Sequence, residues 1–408
     1  MKSSLKLTAL SALAMASAAY ADTEIRITGS TAFRSSIHAS LLASSNGVFT
    51  GGPTKYAHSN TAGNVSGAAR STWVGTVAGI SGTTTIRCSW SGSANGIDTV
   101  ANNKTNQNYL ATPVANGETA SAGSGTPMTS QVAMSDVYQA STAFTSPSLN
   151  DIPVAVVPFT FVINDAADAN NNAISNVTAQ AARALWSAGT LPSFVFTGNA
   201  ANTRNVYAIG RDTGSGTRIT MLAETKYGIS TPVQQWQITA SGGAVTHLRV
   251  WPTSTQVPNN GGDVLAANGG YTSGATMATA MSNTSRSGIQ LVTAAGVNSG
   301  AADKTAILMA CPGMTDAATI VTAGGKYLSY EGVSFTNITN PTDIAKVTQG
   351  QYTMWGYQHM FDNNALDADQ TAARDALVSA IPNNLGTSGI DINAMAVGRA
   401  EDGGLVGP

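Results

Sequence analysis

The segment Arg211-Asp212-Thr213-Gly214-Ser215-Gly216-Thr217-Arg218 concentrates groups that bind anions. A guanidinium offers a two-pronged, charge-assisted hydrogen bond. Ser215 and Thr217 add hydroxyl and backbone donors, and glycine lets the main chain approach a ligand closely. A helical pattern follows over residues 219–227. The free N–H groups and positive dipole end of a helix start favour an anion. Taken alone, the octapeptide reads equally as an ordinary helix start capped by Ser or Thr after a glycine turn.

Three other turns carry small polar groups where a strand ends. Residues 24–28 alternate polar and apolar, as a strand does. Gly29-Ser30-Thr31 breaks them, and Phe33, Ile37, Leu41 and Leu42 then recur at helical spacing over residues 32–44. Residues 84–90 read as a strand that runs into Ser91-Gly92-Ser93-Ala94-Asn95-Gly96, and residues 131–134 as one that ends in Ser135-Asp136. In open α/β sheets, ligands lie outside the carboxyl ends of the strands. Ser30/Thr31, Ser91/Ser93, Asp136 and the Arg211 turn are therefore candidates for one site.

The intervening sequence supports this arrangement. Residues 152–163 are the most apolar stretch and read as a buried strand interrupted by Pro158. Residues 177–187 form an amphipathic helical pattern closed by Gly189, and 205–210 a strand. Strands alternating with helices predict βαβ units and a mostly parallel sheet. Residues 50–130 are rich in Gly, Ser, Thr and Asn. Strands are expected there at 72–77 and 84–90, and mostly loop over 101–128. No repeat at solenoid spacing is present.

The N-terminus sets the expected compartment. Lys2 and Lys6 precede an apolar stretch, and Ala19-Tyr20-Ala21 is an A-x-A cleavage signal, so a signal peptide over 1–21 and a periplasmic or secreted mature chain are expected. The stretch is too short for a membrane span, and no later apolar run approaches ~20 residues. Losing two lysines takes the formal net charge from −2 to −4. That gives no basic stripe for nucleic acid. Charged residues make up 10%, well below the ~25% of ordinary globular proteins. Two cysteines exclude a disulfide scaffold or a Cys-based zinc site. Cys88 and Cys311 are either a disulfide or two separate buried thiols. The four histidines are scattered and predict no metal site. The sequence calls for no cofactor.

Together these segments resemble the periplasmic phosphate-binding proteins of ABC importers. The octapeptide is similar to that family's R-x-x-G-S-G-T signature. Ile27-Thr28-Gly29-Ser30-Thr31-Ala32-Phe33 resembles its first strand–helix junction, Trp90 through Gly96 its serine-containing loop, and Ala133-Met134-Ser135-Asp136 its Ser-Asp after the next strand. Val156-Val157-Pro158-Phe159 looks like the crossover into the second lobe, Ala184-Leu185-Trp186 like the helix before a Trp-containing loop, and Gly350-Gln351-Tyr352 like a late Gly-x-Tyr segment. The matches run in order from about 25 to 360. The chain departs from the family in its long 50–130 region and after Gln358.

The resemblance implies a monomeric, non-enzymatic α/β protein of the two-lobe periplasmic-binding-protein fold, with a mostly parallel sheet in each lobe and the ligand between them. Lobe one would span 22–155 plus 305–408, and lobe two 156–304, joined by two crossing strands. It implies that inorganic phosphate is held by Ser30, Thr31, Ser91, Ser93, Asp136, Arg211, Ser215, Gly216 and Thr217, and delivered to a membrane ABC permease. Asp136 would accept the proton of hydrogen phosphate. Sulfate has no proton to give, so two acceptors would face each other unpaired, at about 1–3 kcal/mol or more.

Other readings fit the residues less well. Asp212-Thr213-Gly214 resembles the Asp-Thr-Gly of pepsin-like proteases, but no second copy supplies the paired carboxylate. Gly123-Ser124-Gly125-Thr126 repeats four letters of the signature without its arginine and reads as loop. No G-x-S-x-G elbow surrounds Ser215. The six tryptophans are spread along the chain, which suits core positions better than a sugar-binding surface. An exported surface or matrix protein that keeps the fold without transport, or a binder of another oxyanion, stays an alternative.

Overall fold

The computed structural model describes residues 22–121, 123–251, 269–284, 288–292, 298–303 and 306–408. The expected signal peptide at 1–21 lies outside them. Among the described residues no helix is long and apolar enough to cross a membrane.

The architecture is α/β in two lobes, each built on its own sheet. The first has eight strands in the order Glu118–Thr119, Lys55–His58, Arg70–Gly75, Thr84–Trp90, Thr23–Gly29, Val132–Ser135, Trp355–Asp362, Asn150–Pro158. At its centre, Thr84–Trp90, Thr23–Gly29 and Val132–Ser135 run parallel. Helices Arg34–Leu42 and Ser93–Ala101 follow the first two of these in sequence order. Outward from this core Arg70–Gly75 and Trp355–Asp362 run antiparallel, and parallel pairing recurs at the edge, between Lys55–His58 and Glu118–Thr119. The three parallel strands end on the same side, which delivers Ser30, Ser91 and Asp136 to one edge.

The second sheet has five strands in the order Thr190–Pro192, Asn205–Ala208, Ile307–Ala310, Val162–Ile163, Lys326–Tyr327. Asn205–Ala208 and Ile307–Ala310 are its parallel pair. The expected lobe boundary at 305 therefore needs correction. Ile307–Ala310, helix Met314–Thr322 and Lys326–Tyr327 all belong to lobe two, since their apolar strands complete its sheet. A second, four-stranded sheet of Trp236–Ser241, Ala244–Val250, Ile289–Val292 and Asn298–Asp303 extends this lobe, and the sequence reading did not foresee it.

The apolar run 152–163 is not one strand. It ends in the first sheet at Pro158 and resumes in the second at Val162, because proline cannot donate to a ladder. The chain crosses lobes there and returns beside itself. The Phe159 amide donates to the Met354 carbonyl at 2.9 Å, and the Tyr352 hydroxyl to the Phe159 carbonyl at 2.6 Å. Phe159, Tyr352, Met354 and Trp355 are fully buried at this double crossing.

Local signals mostly behave as expected. Helix Ala179–Ala188 starts where the Thr178 hydroxyl accepts from the Ala181 amide at 3.1 Å, and stops at Gly189 in the left-handed region. The helix expected from 219 begins earlier, as Gly216–Glu224, because Ser215 is its cap. The loop-rich region does contain structure, since Gln107–Tyr109 pairs with Thr126–Met128. Cys88 and Cys311 are separate buried thiols, one in each lobe.

Candidate anion site between the lobes

The first loop is held tightly. The Ser30 amide donates to the Met134 carbonyl at 2.7 Å, and the amides of Ser91 and Gly92 both donate to the Gly29 carbonyl, at 3.1 and 2.9 Å. Ser91 Oγ lies 3.0 Å from Thr28 Oγ1. These bonds bring the turns after two parallel strands side by side. Ser30 Oγ is buried and has no hydrogen-bond partner, an uncommon and costly state for a hydroxyl.

Across the seam stands the start of helix Gly216–Glu224. The Ala94 amide, in the first turn of helix Ser93–Ala101, donates to the Gly214 carbonyl at 3.0 Å and so ties the lobes together. Gly92, with φ of +97°, leaves room for that carbonyl. The Asp136 carboxylate and the Ser93 hydroxyl lie so close to Gly216 that a Cβ at this position would collide with both. Ser93 Oγ donates to the Asp136 carboxylate, and the Asp136 amide donates to Ser93 Oγ at 3.3 Å. Asp136 is 1% exposed. Burial raises its pKa, against the opposing pull of the Ser93 hydrogen bond and the Arg211 charge.

Of the expected ligand set, Ser93, Asp136 and Gly216 are thus in direct contact. Ser30, Thr31 and Ser91 adjoin them through the shared loops. Arg211 is buried nearby, but its fork is partly engaged, with Nε donating to the Tyr271 carbonyl at 2.9 Å and Nη2 to that of Thr272 at 3.1 Å. The second hydrogen of Nη2 and both of Nη1 are left, so an end-on, two-pronged grip stays open to Arg211. Nη1 is the nitrogen without a partner among the described residues. Ser215 is buried and uses its hydroxyl oxygen as the helix cap, accepting from the Arg218 amide at 3.5 Å. Thr217 is buried and borders a void of about 10 Å³ with Arg211, Trp186 and Cys311.

Several contributors escaped the sequence reading. Asp212 is buried behind Arg211, and burial lifts its pKa to about 6 against the charges of Arg211 and Arg218. Asp316, in the first turn of helix Met314–Thr322, packs its carboxylate on Gly274 at the start of helix Gly274–Met281. It lies within the field of both Arg211 and Arg34. Arg34 sits at the start of helix Arg34–Leu42, where the dipole disfavours a cation. That mismatch was the readable signal for it. Beside these loops, a cavity of about 590 Å³ opens between the lobes, walled by Thr31, Arg34 and Ser91 on one side and by Asp212 and Thr272 on the other.

No protein-family model and no curated protein sequence matches the chain. Its structure aligns with solved structures of low sequence identity. An ABC-type phosphate transport receptor from Vibrio cholerae aligns at 12% identity and a TM-score of 0.42, over 89% of this chain and 98% of the other. PstS from Borrelia burgdorferi aligns at 14% identity and 0.39, over 90% and 99%. A possible phosphate binding protein from Planctomyces limnophilus aligns at 10% and 0.37, over 90% and 99%.

Proposed function

We propose that this chain is an extracytoplasmic receptor that binds inorganic phosphate between its lobes and delivers it to an ABC importer. Binding, not catalysis, is its role. The observation that carries the reading is the Asp136 carboxylate, buried in the seam against Ser93 and the first residue of helix Gly216–Glu224, within the field of Arg211. A buried carboxyl beside a helix start and a cation suits a ligand that is an anion and also carries a proton. Hydrogen phosphate is such an ion. The ligand would part Asp136 from Gly216, take hydroxyls from Ser30 and Ser93, and receive Arg211 Nη1. The double crossing at Phe159 and Met354 is the hinge about which the lobes would separate.

Calorimetric titration of the mature chain tests this directly. Saturable binding of phosphate, with sulfate at least ~10-fold weaker, is expected. No heat at millimolar phosphate would overturn the reading and leave an exported protein that uses the two-lobe fold for another purpose.

A further inference from the structure

The turn that carries Asp136 hangs from the C-terminal tail. Inside it, the Ser135 hydroxyl donates to the Val137 carbonyl at 2.8 Å and accepts from the Val137 amide at 3.2 Å. Its far end is fixed from 264 positions away, where the Tyr138 amide donates to Asp402 Oδ2 at 2.9 Å. The Tyr138 ring rests on His359 with centroids 4.5 Å apart, and His359 Nδ1 lies 2.8 Å from Asp151 Oδ1. From lobe two, the Thr220 hydroxyl donates to the Asp136 carbonyl at 3.4 Å.

Packing alone does not call for a carboxylate at 402. Asp402 makes no ion pair among the described residues, and its Oδ1 is buried without a hydrogen-bond partner. A carboxylate taken out of water is destabilising unless its bonds offset the loss. The charges around it come from several elements: Asp136 from the turn, His359 from strand Trp355–Asp362, and Lys226 past the end of helix Gly216–Glu224. Burial lifts the Asp402 pKa to about 6 against the pull of Ser141 and the Tyr138 amide, and the charge of Asp136 adds to the rise. The two carboxyls thus share one field. What an ionised acceptor provides is a stronger, better-directed bond to the Tyr138 amide, two positions from Asp136. Asp136 can select only where its oxygen meets the ligand within hydrogen-bond range. A displaced carboxylate would lose the phosphate proton and would cease to repel sulfate. We propose that Asp402 is a positioning residue of the anion site: by holding the Tyr138 amide it sets the Asp136 carboxylate against the start of helix Gly216–Glu224, and so fixes the preference for a protonated anion. The tail then acts at the ligand end of that helix through Asp402 and at its far end through Arg399. This rests on the phosphate reading above and deepens it.

Calorimetry on the mature chain with inorganic phosphate and with sulfate, at neutral pH, tests this on three variants whose folding is checked by thermal melting. Asp402→Ala removes the acceptor of the Tyr138 amide and should weaken phosphate binding about 10-fold and cut the phosphate/sulfate preference by a similar factor. Asp402→Asn keeps an oxygen for that amide and should restore both to within about threefold of the native chain. Arg399→Ala loosens the tail at Glu224 without touching the Tyr138 amide, and should leave the preference unchanged. Asp402→Ser, which also withdraws the acceptor but leaves a smaller gap, gives the same reading if Asp402→Ala does not fold. An unchanged preference in the folded alanine or serine variant would overturn the proposal and leave the phosphate reading standing. So would an equal loss in Asp402→Asn, because the bond to the amide would then not be what matters. An equal loss in Arg399→Ala would also overturn it, by tracing the effect to general docking of the tail. If the native chain binds no phosphate, the phosphate reading falls and takes this proposal with it.

Discussion

Helix Gly216–Glu224 touches lobe one or the C-terminal tail at both of its ends, and the two ends are built differently. Its start meets Asp136 and Ser93 through small groups, near a buried hydroxyl without a partner. Its end meets the tail through an ion pair and a stacked ring, although Arg399 Nε, Trp355 Nε1 and Asp402 Oδ1 are also without partners there. Arg399 pairs with Glu224 at 2.9 Å, donates to the Thr353 carbonyl at 2.7 Å and stacks 4.0 Å over Trp355. The same tail holds lobe one, with the Tyr138 amide donating to Asp402 at 2.9 Å and the Tyr138 hydroxyl to the Arg399 carbonyl at 2.8 Å. Nine residues of helix span only ~13 Å. Over that length the molecule passes from a buried carboxylate among small groups to a charge pair held under an aromatic ring. The first suits a ligand and the second suits a fixed joint.

Substitutions at the two ends should separate these roles. Arg211→Ala should show the largest effect, a loss of phosphate affinity of about 2–5 kcal/mol, because it removes a buried charge from the ligand's side of the seam. Titration calorimetry measures it, and an unchanged affinity would remove Arg211 from the site. Arg399→Ala should cost about 3 kcal/mol of stability in denaturant unfolding, because it strands Glu224 in a mostly buried position. It should change phosphate affinity no more than threefold. If Arg399→Ala weakened binding as severely as Arg211→Ala, the two ends would be one functional unit and the contrast would collapse.

The contrast also explains what the sequence made legible. Ser30, Ser91, Ser93, Asp136 and the Arg211 turn were readable because each follows a strand with clear alternation or a clear apolar run, and topology brings strand ends together. The local motif did not show which donors were already engaged. Arg211 gives two nitrogens to Tyr271 and Thr272, sixty residues on in sequence, and no spacing rule reaches that far. The joint was invisible for the same reason. Arg399 and Glu224 are 175 positions apart and each looks like a surface charge. The fold boundary at 305 failed because the short strand Ile307–Ala310 carries no label for the sheet it joins. The two-stranded sheet of Gln107–Tyr109 with Thr126–Met128 was missed because three-residue strands leave no period to read.

A smaller effect sharpens the chemistry at the binding end. Asp136→Asn should cut the preference for phosphate over sulfate by roughly tenfold, about 1–3 kcal/mol, since an amide donates to either ion. The pH dependence gives an independent test. Burial raises the Asp136 pKa, so its neutral form persists above the ordinary carboxyl range near ~4. A carboxyl raised on folding contributes stability that is present at low pH and lost as pH rises through its folded value. The neutral carboxyl is also a donor. Sulfate affinity in the native protein should therefore increase as pH falls through that value, whereas in Asp136→Asn it should stay flat. A flat sulfate profile in the native protein would show that Asp136 does not meet the ligand.

The smallest effect concerns what holds the lobes together. An exported chain can use a disulfide, and two cysteines make one pair. Cys88 lies in the central strand Thr84–Trp90 of the first sheet, and Cys311 directly follows Ile307–Ala310 in the second. Burial pushes the Cys88 thiol up to about 12 and raises that of Cys311 as well, so neither forms the thiolate that exchange requires. Beyond the two passages of the chain itself, the lobes are held by noncovalent contacts, the hydrogen bonds at Phe159 and the Arg399 joint. Unfolding with and without reductant should accordingly agree within about 0.5 kcal/mol. A loss of the ~2–5 kcal/mol typical of a native disulfide would mean that a covalent tie, and not the tail, fixes the far end of helix Gly216–Glu224.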